Sequence, residues 1–116
     1  MDTLIERRQH RRHLMHTAVG VNSRGRRMVE GVFDTIDISI GGLLLDGDER
    51  FQLGDVLDLE LPFHDLALRL TGLVVGVRDT VPAGARRNVH IALTGMSPAR
   101  RDALYRFLDG PHQQPA

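Results

Sequence analysis

The chain has 116 residues, 41% of them hydrophobic and 26% charged, with no cysteine and a formal net charge of zero. That length suits one domain with a real core and little left for a second. The missing thiols exclude disulfides and thiolate-held metals, and no apolar run approaches the roughly 18 residues that span a bilayer.

Residues 1–13 open the chain as an arm. Met1, Leu4 and Ile5 are its only apolar residues before the run Glu6-Arg7-Arg8-Gln9-His10-Arg11-Arg12. This is too little hydrocarbon for a secretory leader, so a cytoplasmic protein without membrane insertion is expected. So polar a segment buries too little surface to offset its ordering entropy, which predicts a flexible arginine-rich arm. Charge is unevenly spread: residues 1–27 hold seven arginines against Asp2 and Glu6, whereas residues 28–116 hold eight against thirteen acids. There is no lysine, which a coding bias would explain, but such a bias does not crowd arginines into the first quarter. An anionic partner for the front of the chain does.

The body, residues 14–110, reads as strands. Leu14 to Val21 forms the first, stopped by the turn cluster Asn22-Ser23-Arg24-Gly25. Arg27 to Ser39 alternates over a length that requires a bend, for which Gly31 is the candidate. Gly41-Gly42 breaks the run, and Leu43 to Leu45 starts a short strand ending at Asp46-Gly47-Asp48. Val56 to Leu61 alternates acids with apolar residues and is closed by Pro62. Leu66 to Val77 is long and largely apolar, and residues 79–87 form a loop. Val89, Ile91 and Leu93 then alternate with His90, Ala92 and Thr94. The period changes at Ser97, a good N-cap followed by Pro98 at the first helical position. Ala103, Leu104, Phe107 and Leu108 share one face of that helix, Gly110-Pro111 ends it, and residues 111–116 are a tail. The pattern is all-β with a terminal helix, a small antiparallel barrel partly covered by that helix.

Two clusters carry chemistry. Arg8 and Arg12 fit R-x-x-x-R, and Asp37, Ser39 and Gly42 fit [DN]-x-S-x-x-G within Asp37-Ile38-Ser39-Ile40-Gly41-Gly42. Guanidinium forks suit phosphates and the N7 and O6 acceptors of guanine, and they stack on bases as well. A carboxylate accepts from guanine N1–H and N2–H₂, a hydroxyl donates or fixes a turn, and a bare glycine admits a close approach or a positive φ. Asp37 and Ser39, two apart, would share a strand face.

In this order, about 25 residues apart, the two motifs resemble the PilZ domain, a bacterial receptor for the second messenger cyclic di-GMP. The resemblance runs from about Glu6 to Leu108. It implies a six-stranded antiparallel β-barrel with a C-terminal α-helix and a site formed by Arg7, Arg8, Arg12, Asp37, Ser39, Gly41 and Gly42. An arginine at Arg7 is similar to members that bind an intercalated dimer of the messenger rather than one molecule. The resemblance further implies a nucleotide-binding receptor or adaptor, not an enzyme, that orders its arm on ligand and signals through an unidentified effector protein. Two positions depart from the pattern. Gly76 stands where many members carry an aromatic residue that would pack a purine. His90 and Leu93 stand where members read glycine-x-x-phenylalanine, a change expected to affect packing more than ligand.

Other readings stay open. A nucleic-acid-binding β-barrel could use the basic arm, although Phe33, Phe51, Phe63, Tyr105 and Phe107 are scattered and the body is acidic. A PilZ-like adaptor could act without ligand. His10, His13 and His16 invite a metal, yet no carboxylate or cysteine accompanies them at a familiar spacing. Asp55, Asp58, Glu60 and Asp65 read as a solvated face, and no nucleophile–base constellation suggests catalysis.

Overall fold

In a computed structural model of the chain, the described residues are 13–14, 17–24, 29–63, 66–80 and 86–109. Alternating burial along the strands curls the sheet around a single core. The strands are β1 (His13–Leu14), β2 (Ala18–Arg24), β3 (Glu30–Ile38), β4 (Gly42–Gly47), β5 (Val56–Phe63), β6 (Leu66–Asp79) and β7 (Arg87–Thr94), and helix α1 spans Pro98–Leu108. All pairings are antiparallel. Hydrogen bonding runs β3–β2–β5–β6–β7–β4, and β4 returns to β3, which closes a six-stranded barrel. Closure leaves those strands no continuous free edge to protect. The two-residue β1 adds to β3 along the edge that β2 vacates: β2 pairs Glu30 to Asp34, and β1 pairs Asp37 and Ile38.

Inward-facing side chains fill the barrel. Val19, Val21, Leu45, Leu57, Leu59, Leu61, Val89 and Phe51 are all within 1% of full burial. The helix contributes Leu104, Phe107 and Leu108 to the same cluster. Its start is as read from the sequence: the Ser97 hydroxyl accepts from the Arg100 N–H at 3.1 Å, with Pro98 in the first turn. Among the described residues, no buried side-chain nitrogen or oxygen lacks a partner. None of their helices is long and apolar enough to cross a membrane.

Several boundaries differ from the sequence reading. The Asn22-Ser23-Arg24 cluster lies inside β2, because Asn22, Ser23 and Arg24 pair with Asp58, Leu57 and Val56 of β5. The long strand carries no register shift at Gly31, which pairs regularly with Val21. Its register slips between Thr35 and Asp37, so Ile36 is the bulged residue. Pro62 does not close β5, since it pairs with Ala67 of β6. It is tolerated there because β2 pairs β5 only from Val56 to Glu60, leaving the other edge of Pro62 without a ladder partner.

Candidate functional site

The motif Asp37 to Gly42 forms the end of β3, a tight reversal and the start of β4. Ser39 and Gly42 close the reversal through two backbone bonds: the Ser39 N–H donates to Gly42 O at 2.7 Å, and the Gly42 N–H donates to Ser39 O at 3.3 Å. The Ser39 hydroxyl, 4% exposed, also donates to Gly42 O at 3.3 Å. Ser39 thus lies one residue past β3 and takes the turn-fixing role of the two open to it. Gly41 is exposed, and its carbonyl accepts from the Leu93 N–H at 3.0 Å, tying the turn to β7.

Gly42 has a different reason from either expected for it. Its φ is not positive; among the described residues the glycines with positive φ are Gly31, Gly54 and Gly95. Nor is it open to a ligand, because it is buried. A Cβ there would overlap the carbonyl oxygen of Ile91, well inside the 3.0 Å that real Cβ atoms keep. The bare position therefore admits the backbone of β7.

Asp37 is 9% exposed, and cross-strand register defines its surroundings. The chain of partners Ile38–Leu43–Ile91–Val74 points inward, and each member is at most 2% exposed. Thr35–Leu45–Val89–Val77 also points inward, with the first three fully buried and Val77 packed against the core. Between these rows lies Asp37–Leu44–His90–Gly76 on the outer face, running across β3, β4, β7 and β6. Partners in register point to the same side of a sheet. A bulge flanks each end of the row: Ile36 in β3 and Val75 in β6, where register slips between Val74 and Gly76. Bulges concentrate beside sites because they re-aim side chains. Here the β3 bulge turns Asp37 outward while Thr35 and Ile38 both stay inside.

The arginine motif lies outside the described residues, as do Arg7, His10 and His16. Register still limits where the motif joins the barrel: His13, the residue after Arg12, pairs with Ile38, and Leu14 pairs with Asp37. The chain therefore enters the fold at the acidic end of the outer row. Among the described residues, no group of three or more histidine or acidic side chains could hold a metal.

Much of the barrel's own cationic charge is committed. Arg24 grips Asp58 at 2.7 Å, Arg50 grips Asp48 at 2.9 Å, and Arg86 grips Asp46 at 2.7 Å. Arg69, Arg87 and Arg106 pair with Glu60, Asp79 and Asp102 at 3.2, 3.0 and 2.7 Å. Hydrogen bonds from Arg50 hold the Asp48 carboxyl below its ordinary range, and those from Arg24 do the same for Asp58. The Arg50 guanidinium also sits 5.5 Å from the Phe33 ring centroid, and Phe33 meets Phe51 edge to face at 5.0 Å. This second patch is a structural clasp under the β4–β5 connection. Sequence reasoning named Gly76 and His90 separately and did not join them with Leu44 into one row. The alternation of His90 with buried Val89 and Ile91 was the available signal.

A family model described as the PilZ domain matches residues 6–110. Among curated proteins, none matches the chain. Solved structures do. The PilZ domain of CeSA from a cellulose-synthesizing bacterium is similar at a TM-score of 0.65 and 16% identity, over 86% of this chain and 96% of that one. The PilZ domain of YcgR from Escherichia coli, solved with c-di-GMP, is similar at 0.68 and 13%, over 89% of each chain. The Bacillus subtilis inhibitor of motility, MotI/DgrA, is similar at 0.67 and 18%, over 89% of this chain and 49% of that one. Closed barrel, terminal helix and motif order agree with a match over nearly the whole sequence, and the chain belongs to the PilZ domain family.

Proposed function

We propose that this protein is a receptor for cyclic di-GMP and that the messenger lies on the outer row beginning at Asp37, clamped by Arg8 and Arg12. The observation carrying this reading is the β1–β3 register, which brings the residue after Arg12 opposite Ile38, beside Asp37. The residues that follow the first motif thereby lie alongside the second. The charge distribution supports it too: six arginines of the body are paired with acids, and the arginine excess of the sequence lies in residues 1–27. Asp37 accepts from a guanine edge, Arg8 and Arg12 bind phosphate and the opposite guanine edge, and Gly41 leaves the turn open beside them. Ser39 and Gly42 act indirectly, by holding the turn that carries Asp37.

Arg7 adds a third fork, and with it the site takes two stacked messengers. Residues 1–13 close over the ligand, and the surface so formed is read by an effector protein. The related E. coli domain, solved with c-di-GMP, supports the choice of ligand. Calorimetric titration of the full chain with cyclic di-GMP, against linear and mononucleotide controls, tests the reading. Saturable heat with the cyclic ligand alone, near two molecules per chain, is expected. No heat at saturating messenger would end it, and salt-steep binding of random oligonucleotides in its place would favour the nucleic-acid reading.

A further inference from the structure

We infer that His90 is a ligand-contacting residue, the aromatic platform on which a guanine of the bound messenger stacks. The inference rests on the site proposed above and extends it to β7, two strands from Asp37. His90 is exposed on β7 while its neighbours Val89 and Ile91 are buried, so its imidazole stands on the outer face. It is in register with Leu44 on one side and Gly76 on the other, in the row that starts at Asp37.

Gly76 fixes how the ring lies. A Cβ built on Gly76 would meet His90 Cβ at 3.5 Å and its Cγ and Cδ2 at 3.6 Å, so the imidazole leans toward the space that a side chain at Gly76 would fill. A side chain lying across a neighbouring strand presents a face rather than a tip to solvent. Half-buried Leu44 and exposed Val75, 54% accessible, continue that face as hydrocarbon on either flank. The row therefore runs from a largely covered carboxylate at one end to an exposed flat π system with apolar flanks at the other. Asp37 and His90 are two strand spacings apart, about 10 Å. That span lets one purine meet the carboxylate with its edge while a base of the same ligand covers the imidazole.

Both departures from the family pattern noted in the sequence, Gly76 and His90, thus face each other across one β6–β7 pair. His90 supplies an aromatic surface at the place where Gly76 lacks one. Of the two positions expected to affect packing, Leu93 packs against the core, whereas His90 is exposed.

The test uses the full chain, cyclic di-GMP, and the variants His90→Ala and His90→Phe. Stacking on an aromatic side chain predicts that His90→Ala weakens binding about 5- to 100-fold, while His90→Phe stays within about threefold of the native chain. In the native chain, the His90 ring protons should move upfield on adding ligand. Thermal unfolding of both variants should match the native chain. Native-like affinity in His90→Ala, equal loss in both variants, or unmoved ring protons would overturn the assignment of His90 while leaving the receptor reading intact. Failure of the native chain to bind cyclic di-GMP would overturn both.

Discussion

Replacing Gly42 by alanine separates a structural glycine from a ligand-admitting one. The added Cβ would collide with the Ile91 carbonyl oxygen, and that atom cannot rotate away. Ile91 sits in the middle of β7, paired with Leu43 on one side and Val74 on the other, and is 2% exposed. Relief requires β4 and β7 to separate where the Ser39–Gly42 turn already joins them tightly. Overpacking of this kind costs about 1–3 kcal/mol, and a backbone obstacle between two held strands places this case in the upper part, about 2–3 kcal/mol. For a domain near 100 residues that lowers Tm by about 10–20 °C. Gly76→Ala is the matched control, because its nearest neighbours lie at 3.5–3.6 Å, ordinary contact distances, and its stability should stay within about 0.5 kcal/mol of native. Thermal and urea unfolding of the three proteins without ligand is the assay. A Gly42→Ala chain that unfolds at the native temperature would refute the packing argument and return Gly42 to the ligand.

Three further expectations use other parts of the structure. Leu104, with no exposed surface, should cost about 2–5 kcal/mol when truncated to alanine, read as a lower urea midpoint with an unchanged slope. Asp48, held below its ordinary 3.8 chiefly by the Arg50 side chain, favours the folded state at pH above that value. The advantage disappears as pH falls through the lowered folded-state value, so native and Asp48→Asn chains should differ in urea midpoint at pH 7 and draw together as pH falls below 3.8; an unchanged gap would contradict this. For the ligand, Arg8→Ala and Arg12→Ala should each cost about 1.5–3 kcal/mol of binding, as hydrogen bonds to charged groups do, with Tm unchanged. Asp37→Ala should cost less than either, and equal losses in all three by calorimetry would count against the assigned roles.

Much of the fold was legible because alternation is a local property. Val19 and Val21, Leu57, Leu59 and Leu61, and Val89 and Ile91 declare their inward faces without knowledge of partners. The helix start was legible for the same reason, since Ser97 and Arg100 are three residues apart. The bulges were not. An extra residue at Ile36 or Val75 leaves no mark in composition, and Gly31 drew the bend because glycine is the usual signal for one. Gly42 is singled out by its motif, but its packing reason is not visible there, because the obstacle, Ile91, lies 49 residues further on. Asp37 stands out by its motif and His90 by its alternation with Val89 and Ile91, but the row that joins them depends on register across β3, β4 and β7, which no local pattern encodes. Pro62 marked the end of the β2–β5 pairing rather than the end of the strand.

Amide and side-chain NMR mapping of the full chain during titration with cyclic di-GMP tests the location of the site most directly. Saturable shifts should concentrate at Arg8, Arg12, Asp37, Gly41, Leu44 and His90, while Asn22, Asp58 and Arg69, which lie on other strands, stay in place. Shifts gathered on β2 and β5 instead, or resonances that do not move at saturating messenger, would contradict the account.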